Sequence, residues 1–317
     1  MKGGLYLSTE TIALKPPVKR KNKLFKRNEI WGWLFAGPAI LGFLGFTLGP
    51  MIASFYLSLT DSTLGFGGNF IGFAHYVRLF TADTLVLGSI RVTLIFVLIA
   101  VPLHLSSAFA VALLLNTEGL KGVKYWRTIA YVPSIVPGVA SAFLWRWIFN
   151  PRGLLNHMLE AIGIPGQNWF FDQRLVLPTM AFMGIWGIGA NMIIYLAGLQ
   201  GVSRSLYDAI EVDGGGVFSK FRYATLPMMT PTIFFTLIMA IIGNIQIFMP
   251  ALLITEGGPN NASLFYAFHV YRTAFVNVNM SYAAAMSWVM FVVILLLTLI
   301  VFATSKSWVY YEGGDSK

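Results

Sequence analysis

The feature that most constrains this chain is a set of six long stretches that contain no charged residue. Each stretch is at least 18 residues long and mostly apolar; they run 30–60, 92–117, 128–145, 175–203, 223–255 and 273–305. A helix needs roughly 20 apolar residues to cross the hydrocarbon core of a bilayer. Within one such segment only a helix satisfies every backbone polar group. The pattern therefore predicts an all-α membrane protein with six transmembrane helices.

The basic residues predict the orientation of these helices. Eight Lys and Arg residues precede residue 30, and more lie in the second and fourth loops and the C-terminal tail. The loops of the opposite side hold only Arg78, Arg152, Arg174 and Arg272. Because cytoplasmic segments are enriched in Lys and Arg, both termini are predicted to be cytoplasmic. The net charge of +9 is then a consequence of topology and gives no indication of nucleic-acid binding.

The same residues divide the chain into three parts. Residues 1–29 are predicted to be a basic cytoplasmic tail lying on anionic lipid, 30–304 the membrane domain, and 305–317 a second cytoplasmic tail. The apolar stretch from Ile30 is far longer than the apolar region of a signal peptide, and no small-residue cleavage site follows it promptly. We therefore expect an uncleaved first helix.

Composition and motifs argue against most site chemistries. The chain has no cysteine, its four histidines lack metal-ligand spacing, and neither a phosphate-binding GK[ST] loop nor a nucleophile elbow is present. No acid lies in the middle of a span, which disfavours an ion-coupled transporter. His104 is the one titratable candidate there; we favour a neutral imidazole bonded to a backbone carbonyl or to Ser106 over a proton carrier. Neither a catalytic site nor a metal site is predicted.

The loop 203–227 is the most informative segment outside the spans. Ser205 and Asp208 have capping-box spacing, which predicts a helix that Gly214–Gly216 then breaks. Val217, Phe218 and Phe221 predict an apolar face on a second short helix, after which Leu226-Pro227 leads into the fifth span. Such a loop either docks on a partner or folds against the protein's own helix ends.

This loop resembles the E-A-A-x-x-D-G-A loop of ABC-importer permease subunits, which is followed by Phe and by Leu-Pro. The matching residues are Asp208, Ala209, Asp213, Gly214, Phe221, Leu226 and Pro227, whereas Asp208, Ile210 and Gly215 replace the family's Glu, second Ala and last Ala. In that family the loop contacts the ATPase subunit. The resemblance implies coupling contacts at Asp208, Ala209, Glu211, Asp213, Gly214, Phe218, Phe221, Leu226 and Pro227.

Further motifs from about Phe70 onward resemble the maltose- and glycerol-phosphate-type permeases of carbohydrate uptake. They include Phe70-Ile-Gly-Phe-Ala-His-Tyr76, Gly153-Leu-Leu-Asn156 and Thr255-Glu-Gly-Gly-Pro259. The resemblance implies a type I ABC-importer fold, a second homologous permease, an ABC ATPase dimer that binds ATP and Mg, an extracytoplasmic solute-binding protein, and no cofactor on this chain. It implies that Gly257, Gly258 and Pro259 form a docking loop for the binding protein, and that Asn244 contacts sugar.

The neutral polar residues of the spans predict where a solute passes. Asn191, Tyr195, Asn244 and Gln246 are large enough to line a path for an uncharged, hydroxyl-rich solute, with helix–helix hydrogen bonding as the alternative. The sequence thus predicts an ATP-driven importer subunit for a sugar or sugar derivative. The alternative function is an ATP-independent secondary transporter of a neutral polar solute.

Overall fold

The structure, a computed structural model, describes residues 23–63, 65, 67–117 and 119–311, with side chains from Trp31 onward. Within these ranges the regular structure is helical, apart from one isolated bridge between Thr60 and Phe70. The described chain separates into two compact units, one ending at Ala53 and the other beginning at Ser54. The prediction of an all-α fold is confirmed.

The helices follow one another with short connections. They are α1 (Lys23–Phe43), α2 (Gly49–Ser58), α3 (Ala74–Thr81), α4 (Thr84–Leu115), α5 (Val123–Tyr131), α6 (Gly138–Ile148), α7 (Leu154–Ala161), α8 (Val176–Ile185), α9 (Gly189–Gln200), α10 (Arg204–Val212), α11 (Val217–Lys220), α12 (Leu226–Ile245), α13 (Tyr266–Tyr271) and α14 (Met280–Ser305). Wider π-helical turns join α1 to α2 at Leu44–Leu48 and α11 to α12 at Phe221–Thr225.

Four helical segments are long and apolar enough to cross a membrane without interruption. They are Trp31–Ser58, Thr84–Leu115, Val217–Ile245 and Met280–Ser305. These correspond to the predicted first, second, fifth and sixth spans, with shifted ends. The fifth begins before the predicted residue 223 and ends at Ile245, and the sixth begins at Met280 instead of residue 273.

The predicted third and fourth spans are each a bent pair of helices, and counting each pair as one span gives six. Val123–Ile135 and Gly138–Ile148 meet at 96°. Pro133 and Pro137 explain this bend, because proline has no N–H for a helical hydrogen bond and its ring disfavours a helical residue before it. The sequence did not predict the second bend, of 53° between α8 and α9.

A glycine at the second bend allows the two bent pairs to pack closely. A Cβ on Gly189 would lie 2.6 Å from the Ala130 carbonyl oxygen and 2.7 Å from the Tyr131 Cα. Those atoms are backbone and cannot move aside, so only glycine fits where α9 begins against the end of α5.

Helix α4 is the centre of the second unit, with α8, α9, α12 and α13 packed around it. His104 lies on α4, and its Nε2 is 2.8 Å from the Ala181 carbonyl oxygen of α8. The prediction that His104 bonds to a backbone carbonyl is confirmed. Gly184 makes room for this contact, since a Cβ there would lie 2.2 Å from the imidazole nitrogen.

Other boundaries differ from the predictions at the chain ends and in the first loop. Of the predicted tail 1–29, residues 1–22 lie outside the described residues, and Lys23–Glu29 form the first turns of α1. The charge-free stretch 62–77 is shorter than the six spans and contains several glycines, a pattern that predicts a loop; in the structure it contains the start of α3 at Ala74. Of the C-terminal tail, residues 306–311 are described and follow α14.

Candidate functional site

The coupling segment, residues 203–227, begins with an amphipathic helix whose start differs from the prediction. Helix α10 begins at Arg204, with Ser203 at its N-cap and the Ser203 and Ser205 hydroxyls 2.8 Å apart. The expected capping box at Ser205 and Asp208 is therefore wrong. Asp208 lies within the helix, so the expectation that it caps the helix is also wrong. The hydroxyls of Ser203 and Ser205 pair with each other, and the Ser203 side chain does not bond the backbone N–H groups that a capping box would satisfy.

The three glycines turn the chain as predicted. Gly214 has a φ of +78°, a conformation that glycine adopts without strain. The Gly215 N–H donates to the Ile210 carbonyl at 2.8 Å, and a Cβ on Gly215 would lie 2.8 Å from that oxygen and 2.4 Å from the Ile210 Cγ2. The turn is therefore held closed by a contact that leaves no space for a larger residue. Asp213 ends α10 through its backbone N–H, which donates to the Ala209 carbonyl.

The second half of the segment is continuous with the fifth span. Residues Val217–Ile245 form one helical span, so Leu226 and Pro227 lie inside it and do not separate a short helix from it. The predicted second short helix is present as Val217–Lys220, but its continuation into the fifth span was not predicted. The π-helical turn at Phe221–Thr225 lies just before Pro227, where the missing proline N–H is accommodated.

Two polar contacts tie α10 to this span. Lys220 Nζ donates to the Glu211 carboxylate, and the hydroxyls of Tyr207 and Thr225 are 3.1 Å apart. The hydrogen bond and the charge of Lys220 lower the pKa of Glu211. Asp208, Glu211 and Lys220, with Asn116 after α4, line an open cavity of about 550 Å³. The coupling segment is thus one folded unit with a charged side.

The other side of the coupling segment is apolar and uncovered. Val212, Val217 and Phe218 are 87%, 86% and 77% exposed. Phe221 by contrast faces inward, with its ring 6.3 Å from that of Phe109 on α4. Side chains of this size are rarely left exposed together without an interaction role. Of the two interpretations from the sequence, docking on a partner is favoured, because the described chain does not fold over these residues.

The polar residues predicted for the solute path lie on two helices. Asn191 and Tyr195 are on α9, and Asn244 and Gln246 are at the end of α12. Tyr195 is 1% exposed, and its hydroxyl lies 2.7 Å from that of Thr236 on α12. This placement fits helix–helix hydrogen bonding. Asn244 is half-buried and donates to the Ala240 carbonyl, while Gln246 is exposed at the point where the helix ends.

The loop that contains Gly257, Gly258 and Pro259 is compact. Glu256 and Gly257 have φ values of +52° and +88°. The Ser263 hydroxyl donates to the Gly258 carbonyl at 2.6 Å and lies 2.7 Å from the Thr255 hydroxyl. These bonds give the loop a fixed shape that is compatible with a docking surface.

Two polar networks were not predicted from the sequence. Asp83 caps α4 through the Leu85 and Val86 N–H groups and accepts the Tyr282 hydroxyl at 2.9 Å. Asn156 makes four hydrogen bonds under the segment 150–169. An Asp just before an apolar run is an N-cap signal and identifies Asp83, but not its partner on α14. Among the described residues no group of three potential metal ligands occurs.

Comparison with known proteins places the chain in a family. Residues 108–307 match the model for binding-protein-dependent transport system inner membrane components. The probable ABC transporter permease protein YesP of Bacillus subtilis is 39% identical over 93% of this chain and 97% of its own length. The lactose transport system permease protein LacF of Rhizobium radiobacter is 33% identical over 90% of this chain and 97% of its own.

A solved structure agrees with these relatives. A chain in the crystal structure of a bacterial alginate ABC transporter, in complex with an alginate-pentasaccharide-bound periplasmic protein, is 25% identical to this chain. The TM-score is 0.79, and the similarity covers 91% of this chain and 98% of that one. The resemblance identified from the coupling segment is therefore confirmed, and the chain belongs to the family of binding-protein-dependent transport system inner membrane components, as a permease subunit of the ABC-importer type.

Proposed function

We propose that this chain is one of two permease subunits of an ATP-driven importer for a sugar or oligosaccharide. Relatives named for the transport of lactose and of arabinooligosaccharides support the solute class. The exposed apolar side of the coupling segment carries the proposal, because it requires a partner and lies on a rigid unit that continues into a span. In this function the chain itself has no catalytic site.

The mechanism we propose is alternating access. Two ATPase subunits, which bind ATP and Mg, each hold one coupling segment, and their closure on ATP moves these segments together. Because α11 runs without a break into α12, displacement of Phe218 is transmitted along the fifth span. Asn191, Asn244 and Gln246 then line the path of the solute. A solute-binding protein delivers the solute at the loop with Gly257–Pro259, on the side opposite the cytoplasmic termini.

The sharpest test is at the glycine turn, where the chain offers a matched pair of variants. Gly215→Ala places a Cβ against the Ile210 carbonyl, whereas a Cβ on Gly216 meets nothing within 4 Å. In vesicles with the partner permease, ATPase subunits and binding protein, we expect Gly215→Ala to reduce sugar-stimulated ATP hydrolysis about tenfold, the effect of losing about 1.4 kcal/mol at the interface. Gly216→Ala should behave as wild type.

The outcome separates this proposal from the alternative of an ATP-independent secondary transporter. Uptake that continues without ATPase subunits, or that is equal in the two glycine variants, contradicts the coupling proposal. Uptake that requires ATP and fails only in Gly215→Ala supports it.

A further inference from the structure

A cavity with both polar and apolar lining residues lies at the end of α4 remote from the coupling segment. It has a volume of about 530 Å³ and lies between the first turns of α4, the start of α8 and the residues that follow Pro259. Its polar side chains include Arg91, Gln173, Asn260 and Asn261. The opposite end of α4, at Leu113 and Leu114, lines a cavity with Phe218 instead. Because α4 is long and apolar enough to cross a membrane, we expect its two ends to face opposite sides.

The cation in this cavity has no partner in the part of the chain that the structure describes. Neither the Arg91 guanidinium nor the side-chain amides of Gln173, Asn260 and Asn261 make a hydrogen bond or ion pair there. Two acids on the neighbouring segments have other partners. Asp83 caps α4 and accepts from Tyr282, and Asp172 accepts the Arg174 N–H at 2.7 Å. An unpaired guanidinium beside amide donors is the chemistry that recognises an oxyanion.

The depth of Arg91 in the membrane indicates which kind of oxyanion it would bind. The uncharged part of α4, from Val92 to Leu115, spans roughly 36 Å at 1.5 Å per residue. This is slightly more than the hydrocarbon thickness, so Arg91 lies at the level of the lipid headgroups. A long cationic side chain at the end of a span reaches that level readily.

The surface beside Arg91 along α4 is aliphatic. Ile95 and Leu98 follow at one and two turns on the same side of the helix, and Leu98 is 74% exposed. Bound sugar hydroxyls require polar partners, which this surface does not offer. A hydrocarbon chain does not require them. We propose that Arg91, Asn260 and Asn261 bind the phosphate of an outer-leaflet phospholipid whose acyl chain lies along Ile95 and Leu98.

The test compares lipids with and without a phosphate. The assembled transporter is purified in detergent, titrated with phosphatidylglycerol or with diacylglycerol of the same chains, and measured by native mass spectrometry. We expect Arg91→Gln to weaken phosphatidylglycerol binding about tenfold, as for one charge-assisted contact. Diacylglycerol binding should be weak and equal in the two proteins. Arg152→Gln is the matched control, because Arg152 is also exposed and its side chain has no described partner.

Each other result has a defined meaning. Equal phosphatidylglycerol binding by wild type and Arg91→Gln overturns the proposal. If Arg91→Gln weakens the binding of a uronate oligosaccharide and not of the lipid, the cavity is a solute site and the proposal is wrong. If both lipids bind less, Arg91→Lys decides: retained phosphatidylglycerol binding supports the site, and its loss overturns it.

Discussion

Asn156 shows how much a single buried amide organises. Its side chain is 2% exposed; the amide nitrogen donates to the Pro151 and Gln167 carbonyls, both at 2.9 Å. Its oxygen accepts the Gln167 N–H at 3.0 Å and the Trp169 indole N–H at 2.8 Å. All the strong donor and acceptor capacity of the side chain is thus used to join the start of α7 to the segment before α8.

Asn156→Ala is expected to destabilise this region by about 2–4 kcal/mol, because it leaves buried donors and acceptors unpaired. The measurement is the thermal midpoint of the detergent-solubilised protein, followed by tryptophan fluorescence. Asn168→Ala is the control, because Asn168 is exposed and its side chain makes no hydrogen bond in the described chain. Equal midpoints in the two variants would show that the network contributes no stability.

The sequence indicates Asn156 only as part of the Gly153-Leu-Leu-Asn156 resemblance. Its role depends on Gln167 and Trp169, which no helical or strand periodicity links to it. The same limit applies to Tyr195: the sequence shows a polar group within a span, but only the position of Thr236 on another helix shows what that hydroxyl contacts. Local signals such as the proline bends and the glycine turn were predictable, because they depend on adjacent residues.

At the scale of elements, the coupling segment combines a predicted turn with an unpredicted continuity. The glycines were expected to end α10, and they do. The continuation of α11 into the fifth span was not expected, because Leu226-Pro227 normally predicts a helix start. The π-helical turn before Pro227 widens the helix there, so that a proline without an N–H fits within a continuous helix. The Glu211–Lys220 ion pair then joins α10 to the span.

The ion pair predicts how the segment responds to acid. Lys220 lowers the pKa of Glu211 below its ordinary value of 4.5. The ion pair therefore stabilises the segment fully above pH 4.5. This stabilisation is lost as the pH falls through the lowered pKa of Glu211. A nitroxide on Val212→Cys, in this chain without native cysteine, should show constant mobility from pH 8 to pH 5 and greater mobility in stronger acid.

Two further variants test the assignment of this transition. Glu211→Gln should be mobile at every pH, since it has no charge to lose. Asp213→Asn should retain the transition, because Asp213 is an exposed acid of the same segment. A transition that persists in Glu211→Gln would assign the effect to another group.

At the scale of the whole molecule, the charge-free stretches predicted six spans, and four of them are continuous helices in the described chain. The other two are bent pairs, and the bend between α8 and α9 depends on tertiary contact: Gly189 meets the end of α5, a residue far away in sequence. A run of apolar residues fixes only that a segment is buried in lipid or protein. It does not fix whether the helix within it is straight.

The bent pairs leave one topological question that a single position decides. If both pairs cross the membrane, Ile164, which lies between them, is on the same side as Asn277. If both turn back, it is on the side of Val212. We expect two crossings, because the basic residues are then concentrated on one side.

In intact cells Ile164→Cys should therefore react with a membrane-impermeant maleimide as Asn277→Cys does, whereas Val212→Cys should react only after permeabilisation. All three positions are exposed. Reaction of Ile164→Cys only after permeabilisation would reduce the crossings to four and place α7 on the side of the coupling segment.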